Sequence, residues 1–148
     1  MEDLPPAPDP AKKEKTVIAA GRLDRVKGFD RLIDLFCGLH DVQPEWNLKI
    51  LGGGEEEAAL RRKIMENGAQ NYIMLSGRRS PEEVLEAMAK ASVYALSSYS
   101  EGFPFVLLEA MSCSLPIVAF ETRDHACAYT KFFHNGNLRF KYRQIQLW

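Results

Sequence analysis

The sequence predicts an α/β chain, a Rossmann-like parallel sheet with helices on both faces. Three observations carry that expectation. Five short apolar runs recur along the chain, each run closes at or near a Gly, a Ser or an aromatic residue, and the stretches between them place apolar residues at helical spacing. The runs begin at residues 17, 48, 72, 93 and 116, so successive starts lie 31, 24, 21 and 23 residues apart. Each interval holds one helix and its two connections, the requirement of parallel βαβ units with right-handed crossovers.

The first run is Val17-Ile18-Ala19-Ala20-Gly21, and it is followed by Leu48 to Gly52, Tyr72 to Gly77, Val93 to Ser97 and Pro116 to Phe120. All five are nearly continuous in apolar character, as strands buried on both faces should be. After the first, Phe29, Leu32, Ile33, Phe36 and Leu39 repeat at i, i+3, i+4 and i+7, with Asp30 where the helix dipole favours an anion. A second helix is predicted over Glu55 to Asn67, acidic at its start, basic at Arg61, Arg62 and Lys63, and closed by Gly68. Ser80-Pro81-Glu82-Glu83 then supplies an N-cap and a Pro at the first helical position, with Val84, Leu85 and Met88 as the expected apolar face. A fourth helix is expected to open at Pro104 and run to about Met111.

Composition narrows the function. The 148 residues carry 19 Lys and Arg against 20 Asp and Glu, a net charge of −1, with 46% hydrophobic residues. That suits a single globular domain and argues against a nucleic-acid partner, which requires a basic surplus. No apolar run approaches the length that spans a bilayer, and the amino terminus has no signal-peptide core, so a cytoplasmic location is expected. Cys37, Cys113 and Cys127 are widely spaced and read as reduced thiols rather than a disulfide framework or a metal site. His40, His125 and His134 have no partner at metal or triad spacing, and no metal is expected.

In an open parallel sheet the ligand lies beyond the carboxyl ends of the strands. The positions there are Gly21, Arg22 and Lys27 after the first strand, Gly52 to Gly54 after the second, Gly77 and Arg78 after the third, and Ser97 to Glu101 after the fourth. Arg22 and Lys27 flank the amino end of the first helix, where free N–H groups already favour an anion, which describes a diphosphate clamp. The same loop also reads as an ordinary turn with solvated charges. It matches neither the dinucleotide pattern Gly-x-Gly-x-x-Gly nor a Walker loop, which removes NAD and ATP hydrolysis from the leading readings. After the fourth strand, Glu101 and Glu109 are separated by seven residues, too far along a helix to share a proton. They suit separate hydroxyls of an extended polyol, with the amides of Phe105 and Val106 facing a phosphate between them. Glu109 is flanked in sequence by Leu107, Leu108, Ala110 and Met111, which favours a working carboxylate over a solvated one.

These residues resemble the retaining nucleotide-sugar-dependent glycosyltransferases of GT-B fold. The carriers are Gly21-Arg22 with Lys27-Gly28, Leu51-Gly52-Gly53-Gly54, Leu75-Ser76-Gly77, Ser100-Glu101-Gly102-Phe103-Pro104 with Glu109, and Pro116-Ile117-Val118-Ala119. The resemblance covers Thr16 to about Glu121, the first part of that family's donor-binding domain, one half of a GT-B fold. It implies transfer of a glycosyl group from a UDP- or GDP-sugar to a carbohydrate or lipid-linked acceptor with retention, in polysaccharide or glycan biosynthesis. Arg22 and Lys27 would neutralise the donor diphosphate, and Glu101 would hold hydroxyls of the transferred sugar. Glu109 would hold the ribose, Gly77 and Arg78 would border the base, and Gly21, Gly52, Gly102, Phe103, Phe105 and Val106 would complete the donor site. It further implies a nucleotide sugar as substrate, no cofactor and no divalent metal, an amino-terminal acceptor domain as partner, and peripheral membrane association of the full protein.

The organisation expected is a Pro-rich linker or disordered leader over 1–15, the nucleotide-sugar domain over 16–121, and an atypical tail over 122–148. Where the family continues with a Gly-Pro-x-Glu turn and further helices, this chain reads Glu121-Thr122-Arg123-Asp124, so the domain is expected to be incomplete at its carboxyl end. Within the tail, Asn135-Gly136-Asn137 before Leu138 to Tyr142 has the pattern of a turn and an edge strand. The isolated chain is expected to bind a nucleotide sugar without turnover.

Overall fold

The computed structural model describes residues 13–99 and 105–120. Its elements, in order, are β1 (Thr16–Ala20), α1 (Phe29–Val42), β2 (Asn47–Leu51), α2 (Glu57–Glu66), β3 (Ile73–Leu75), α3 (Pro81–Lys90), β4 (Val93–Leu96), α4 (Phe105–Ser112) and β5 (Ile117–Ala119). The five strands form one sheet in the order β3-β2-β1-β4-β5, and all neighbours are parallel. The chain thus builds outward from β1 in one direction, then returns to its other side at β4. The order of strands reverses between β1 and β4, where open α/β sheets form their ligand crevice.

Side chains alternate across this sheet and divide the core in two. Val17 and Ala19 of β1, Leu48 and Ile50 of β2, and Val93 and Ala95 of β4 meet Phe29, Leu32, Ile33 and Phe36 of α1 and Leu60 and Ile64 of α2. On the reverse face, Ile18, Tyr94 and Leu96 meet Met88 of α3 and Leu107 and Ala110 of α4. Each fully buried side chain of the size of Leu, Ile or Phe contributes about 2 kcal/mol, so the α1 stripe is a principal anchor of the fold. Between α1 and the β4–β5 edge lies an apolar groove of about 270 Å³, bordered by Leu39, Trp46, Val118 and Phe120.

The expectation that every strand is buried on both faces fails at β3. Met74 is 60% exposed there: β3 is an edge strand that gives Ile73 and Leu75 to the core on the α1–α2 face and no residue to the core on the reverse face. Boundaries shift too. α2 begins at Glu57 rather than Glu55, and Glu56 instead pairs with Arg25 at 3.5 Å. α4 is described from Phe105 onward, and its expected opening at Pro104 lies outside the described residues. Lys63, one of the three basic residues predicted late in the second helix, crosses to Asp34 of α1 at 2.7 Å. Leu85, expected on the buried face of α3, is exposed. Lys13 and Glu14, at the end of the predicted linker, bond to residues 90–92: Lys13 Nζ donates to the Ala91 carbonyl at 3.1 Å, and Glu14 N–H to that of Lys90 at 2.8 Å. Cys113 is buried and Cys37 half-buried, while Cys127, His125, His134 and the tail strand lie outside the described residues.

Caps were more legible. Ser80 Oγ accepts from Glu83 N–H at 3.2 Å with Pro81 opening α3. Removing that cap in Ser80→Ala leaves an orphan N–H and is expected to cost about 1 kcal/mol. The thermal midpoint should fall by about 4 °C with the folded far-ultraviolet spectrum unchanged.

Candidate functional site

The loops that leave β1, β2 and β3 interlock at the carboxyl edge of the sheet. Gly21 N–H donates to the Leu51 carbonyl at 2.9 Å, Leu23 N–H to that of Gly53 at 3.1 Å, and Gly52 N–H to that of Gly77 at 2.9 Å. Backbone bonds of this kind fix a loop more firmly than side-chain contacts, because both partners are obligatory hydrogen-bonding groups. The close approach demands glycine at Gly54, where a Cβ would stand 2.5 Å from the Leu23 carbonyl oxygen. The result is an open depression of about 360 Å³ bordered by Gly21, Arg22, Gly52, Gly53, Arg78 and Val84.

Four of the sequence-predicted residues border this depression, Gly21, Arg22, Gly52 and Arg78, with Lys27 packed on Gly21 and Gly77 bonded to Gly52. Arg22 is exposed and has no ion pair among the described residues. The stem of Lys27 folds over Gly21, its Cδ and Cε 3.7 Å from where a Cβ would be. Lys27 closes a short 3₁₀ turn, Arg25–Lys27, whose N-cap Asp24 accepts from Lys27 N–H at 3.1 Å. The side chain of Arg78 lies across Gly53, its Cγ and Nε 2.9 Å from a Cβ there, so Arg78 walls the depression with its side chain as well as its backbone.

The β4 side of the rim is joined to the same loop. The β1–β4 ladder has registered pairs only at Val17–Val93 and Ile18–Tyr94. Past that point the Tyr94 hydroxyl accepts from Ala20 N–H at 3.2 Å and donates to the Ala20 carbonyl at 3.1 Å, bridging the strands as they part. Ser97 Oγ then donates to the Lys27 carbonyl at 2.8 Å, and Tyr99 N–H to that of Val26 at 2.8 Å. The cationic loop and the exit of β4 are therefore neighbours on one rim.

Glu109 occupies the fifth position of α4, about 6 Å along the axis from Phe105. It is half-buried and does not border the depression. The apolar surroundings inferred from its sequence neighbours are a correction. Successive helical residues turn away from one another, so Leu107 and Ala110 enter the core while Leu108 and Met111 are 41% and 38% exposed. Val106 is half-buried and is the second described residue of α4. Glu101, Gly102, Phe103 and the side chain of Phe105 lie outside the described residues.

Sequence reading missed Arg31. Its Nε donates to the Ser97 carbonyl and its Nη2 to the Ser98 carbonyl, both at 2.7 Å. Its guanidinium carbon lies 3.9 Å from the Tyr99 ring centroid and 4.6 Å from that of Phe120. Partial burial lowers the Arg31 pKa from its ordinary value, against the raising influence of Tyr99 and Asp30. One signal was present: Arg31 is the third residue of α1, where a cation opposes the helix dipole and needs a compensating partner.

Remote from this rim, His40 stacks on Tyr72 with centroids 3.5 Å apart, and burial with a hydrogen bond to Cys37 pushes the Tyr72 phenol up to about 12. Among the described residues no group of three or more His, Cys, Asp or Glu could hold a metal ion, and no helix is long and apolar enough to cross a membrane.

Comparison with known proteins assigns the chain to a family. The sequence is 39% identical over 126 residues to an uncharacterized glycosyltransferase of Haemophilus influenzae, covering 85% of this chain and 35% of that protein. It is 38% identical to the GtfA subunit of the UDP-N-acetylglucosamine–peptide N-acetylglucosaminyltransferase of Streptococcus gordonii, covering 78% of this chain and 22% of that one. The structure resembles the pneumococcal O-GlcNAc transferase GtfA, solved in complex with UDP and GlcNAc, at a TM-score of 0.71 and 32% identity over 78% of this chain and 22% of that chain. It also shares the fold of S. aureus TarM at a TM-score of 0.74 and 21% identity, over 82% of this chain and 24% of TarM. The chain thus spans about a quarter to a third of its relatives' length. Residues 1–147 match the family described as glycosyl transferases group 1, and with its Rossmann-like parallel sheet and interlocked carboxyl-edge loops the chain belongs to that family.

Proposed function

We propose that this chain supplies the donor half of a retaining glycosyltransferase that moves a sugar from a nucleoside-diphosphate sugar, UDP-linked in preference to GDP-linked, to a carbohydrate or lipid-linked acceptor. The observation that carries the reading is the depression where Arg22, Gly21, Gly52 and Arg78 meet beside the Lys27 loop. A glycine-lined concavity lets an anion approach backbone N–H groups, and fixed cations at its edge stabilise charge that grows on the departing diphosphate. The preference for UDP is supported by the pneumococcal relative, whose structure contains UDP and GlcNAc.

In this reading Arg22 and Lys27 neutralise the diphosphate as the glycosidic bond breaks, so no divalent metal is required. The amides of Phe105 and Val106 add hydrogen bonds to the phosphate, Glu109 receives the ribose hydroxyls, Gly77 and Arg78 border the base, and Glu101 with Gly102 and Phe103 holds the transferred sugar. An acceptor domain contributes the opposite wall of the cleft, and the chain alone binds donor without turnover. The reaction takes place in the cytoplasm, with the whole protein at the membrane surface when its acceptor is lipid-linked, in the assembly of a polysaccharide or glycan.

Titration calorimetry tests the site. UDP is expected to bind the chain equally well with magnesium or with EDTA. Glu109→Gln should weaken UDP by about 10-fold, the value of a charge-assisted hydrogen bond, yet leave 2′,3′-dideoxy-UDP binding as in the wild type. A strict magnesium requirement, or equal losses for both ligands, would contradict the assigned roles.

A further inference from the structure

We infer that Arg31 is a positioning residue for donor binding, one that holds the exit of β4 at a fixed distance from the cationic loop without touching the donor. The inference rests on the proposed function and adds a residue to it. Arg31 sits in the first turn of α1, directly after the loop that carries Arg22 and Lys27. Its guanidinium is committed elsewhere, to two successive carbonyls beyond the end of β4. Those carbonyls follow Leu96, whose own oxygen accepts from Phe120 N–H at 2.8 Å as the last bond toward β5.

Ser97 and Ser98 are both buried, and buried carbonyls need partners. The fork of Arg31 provides them at two points at once.

The flat face of the same guanidinium rests near Tyr99 and Phe120, so the side chain is held by stacking as well as by hydrogen bonds. Gly28 lets the two segments close up. It has φ +65°, and a Cβ there would lie 2.2 Å from the Ser97 carbonyl oxygen that Arg31 binds. With the Ser97–Lys27 and Tyr99–Val26 bonds, four hydrogen bonds join the amino end of α1 and its loop to three consecutive residues after β4. The two sides of the rim then move as one body. A lysine keeps the charge but offers a single point and no plane, so it cannot span both carbonyls.

The test compares the wild-type chain with Arg31→Lys by UDP calorimetry and by amide hydrogen exchange. Because the charge is retained, a loss of affinity in this variant reports geometry. UDP is expected to bind Arg31→Lys about 10-fold more weakly, as a donor site displaced at one edge should. The Tyr99 amide is expected to exchange faster while the α3 amides keep wild-type rates. Wild-type affinity in Arg31→Lys overturns the inference, and so does weaker binding with an unchanged Tyr99 amide, which would mean that Arg31 meets the ligand directly. If α3 amides accelerate equally, Tyr99→Leu, which removes the stacking surface outside the core, decides on UDP affinity and on the exchange of the amide at residue 99. A wild-type chain that fails to bind UDP overturns the proposed function itself, a result distinct from wild-type binding in the variant.

Discussion

Gly52→Ala is expected to destabilise the chain by about 3 kcal/mol or more, a large part of the stability of a domain this size. The cause is a collision between backbones. An alanine Cβ at residue 52 would lie 1.8 Å from the Gly21 carbonyl oxygen, and φ there is +147°, a conformation that L side chains rarely adopt. Neither partner can give way alone. Gly21 is held by Leu51 and Gly52 by Gly77, so relief at one point breaks the register of loops from three strands. In urea the midpoint should fall by about 1–3 M, given the usual slopes for small proteins. Gly38→Ala is the control, because nothing lies within 4 Å of its added Cβ and it sits in α1. It should raise stability by about 0.5–1 kcal/mol through helix propensity alone. A midpoint for Gly52→Ala equal to that of the wild type would mean that the three loops are not interlocked as described.

That contrast explains why much of the fold could be read from the sequence. Strands flanked by helices on both faces become continuous apolar runs, and β1 and β4 stood out for this reason. Met74 did not announce its exposure, since strand order, which makes β3 an edge, is not encoded in the run itself. The cap at Ser80 and the stripe from Phe29 to Leu39 depend on neighbours a few residues away, so pattern was enough. Arg31 depends on carbonyls 66 and 67 residues further along, and local pattern gives only the anomaly of a cation in a first turn. At Glu109 the local pattern misled about surroundings alone: its apolar sequence neighbours face different directions around α4. Gly21, Arg22, Gly52 and Arg78 border one depression, as expected, because strand ends share an edge in any parallel sheet. That the side chain of Arg78 crosses Gly53 is a tertiary fact.

The largest effect on binding is expected from the pair Arg22→Gln and Lys27→Met, which removes two cations and retains most of the side-chain volume. UDP affinity should fall by about 100-fold, with each charge-assisted contact worth about 1.5 kcal/mol or more. Stability should change little for Arg22, which is exposed, and the Met side chain keeps the apolar stem that Lys27 lays over Gly21. Three readings separate phosphate recognition from general damage. Uridine, which has no phosphate, should bind the double variant as it binds the wild type. The salt dependence of UDP binding should flatten, because two cations whose attraction ionic strength screens are gone. Each single variant should show part of the loss, and the two need not add, since in the proposed site both cations face one diphosphate and neighbouring sites couple. Equal weakening of uridine and UDP would place the two cations outside the phosphate site, and the depression bordered by Gly21 and Gly52 would then require a different occupant.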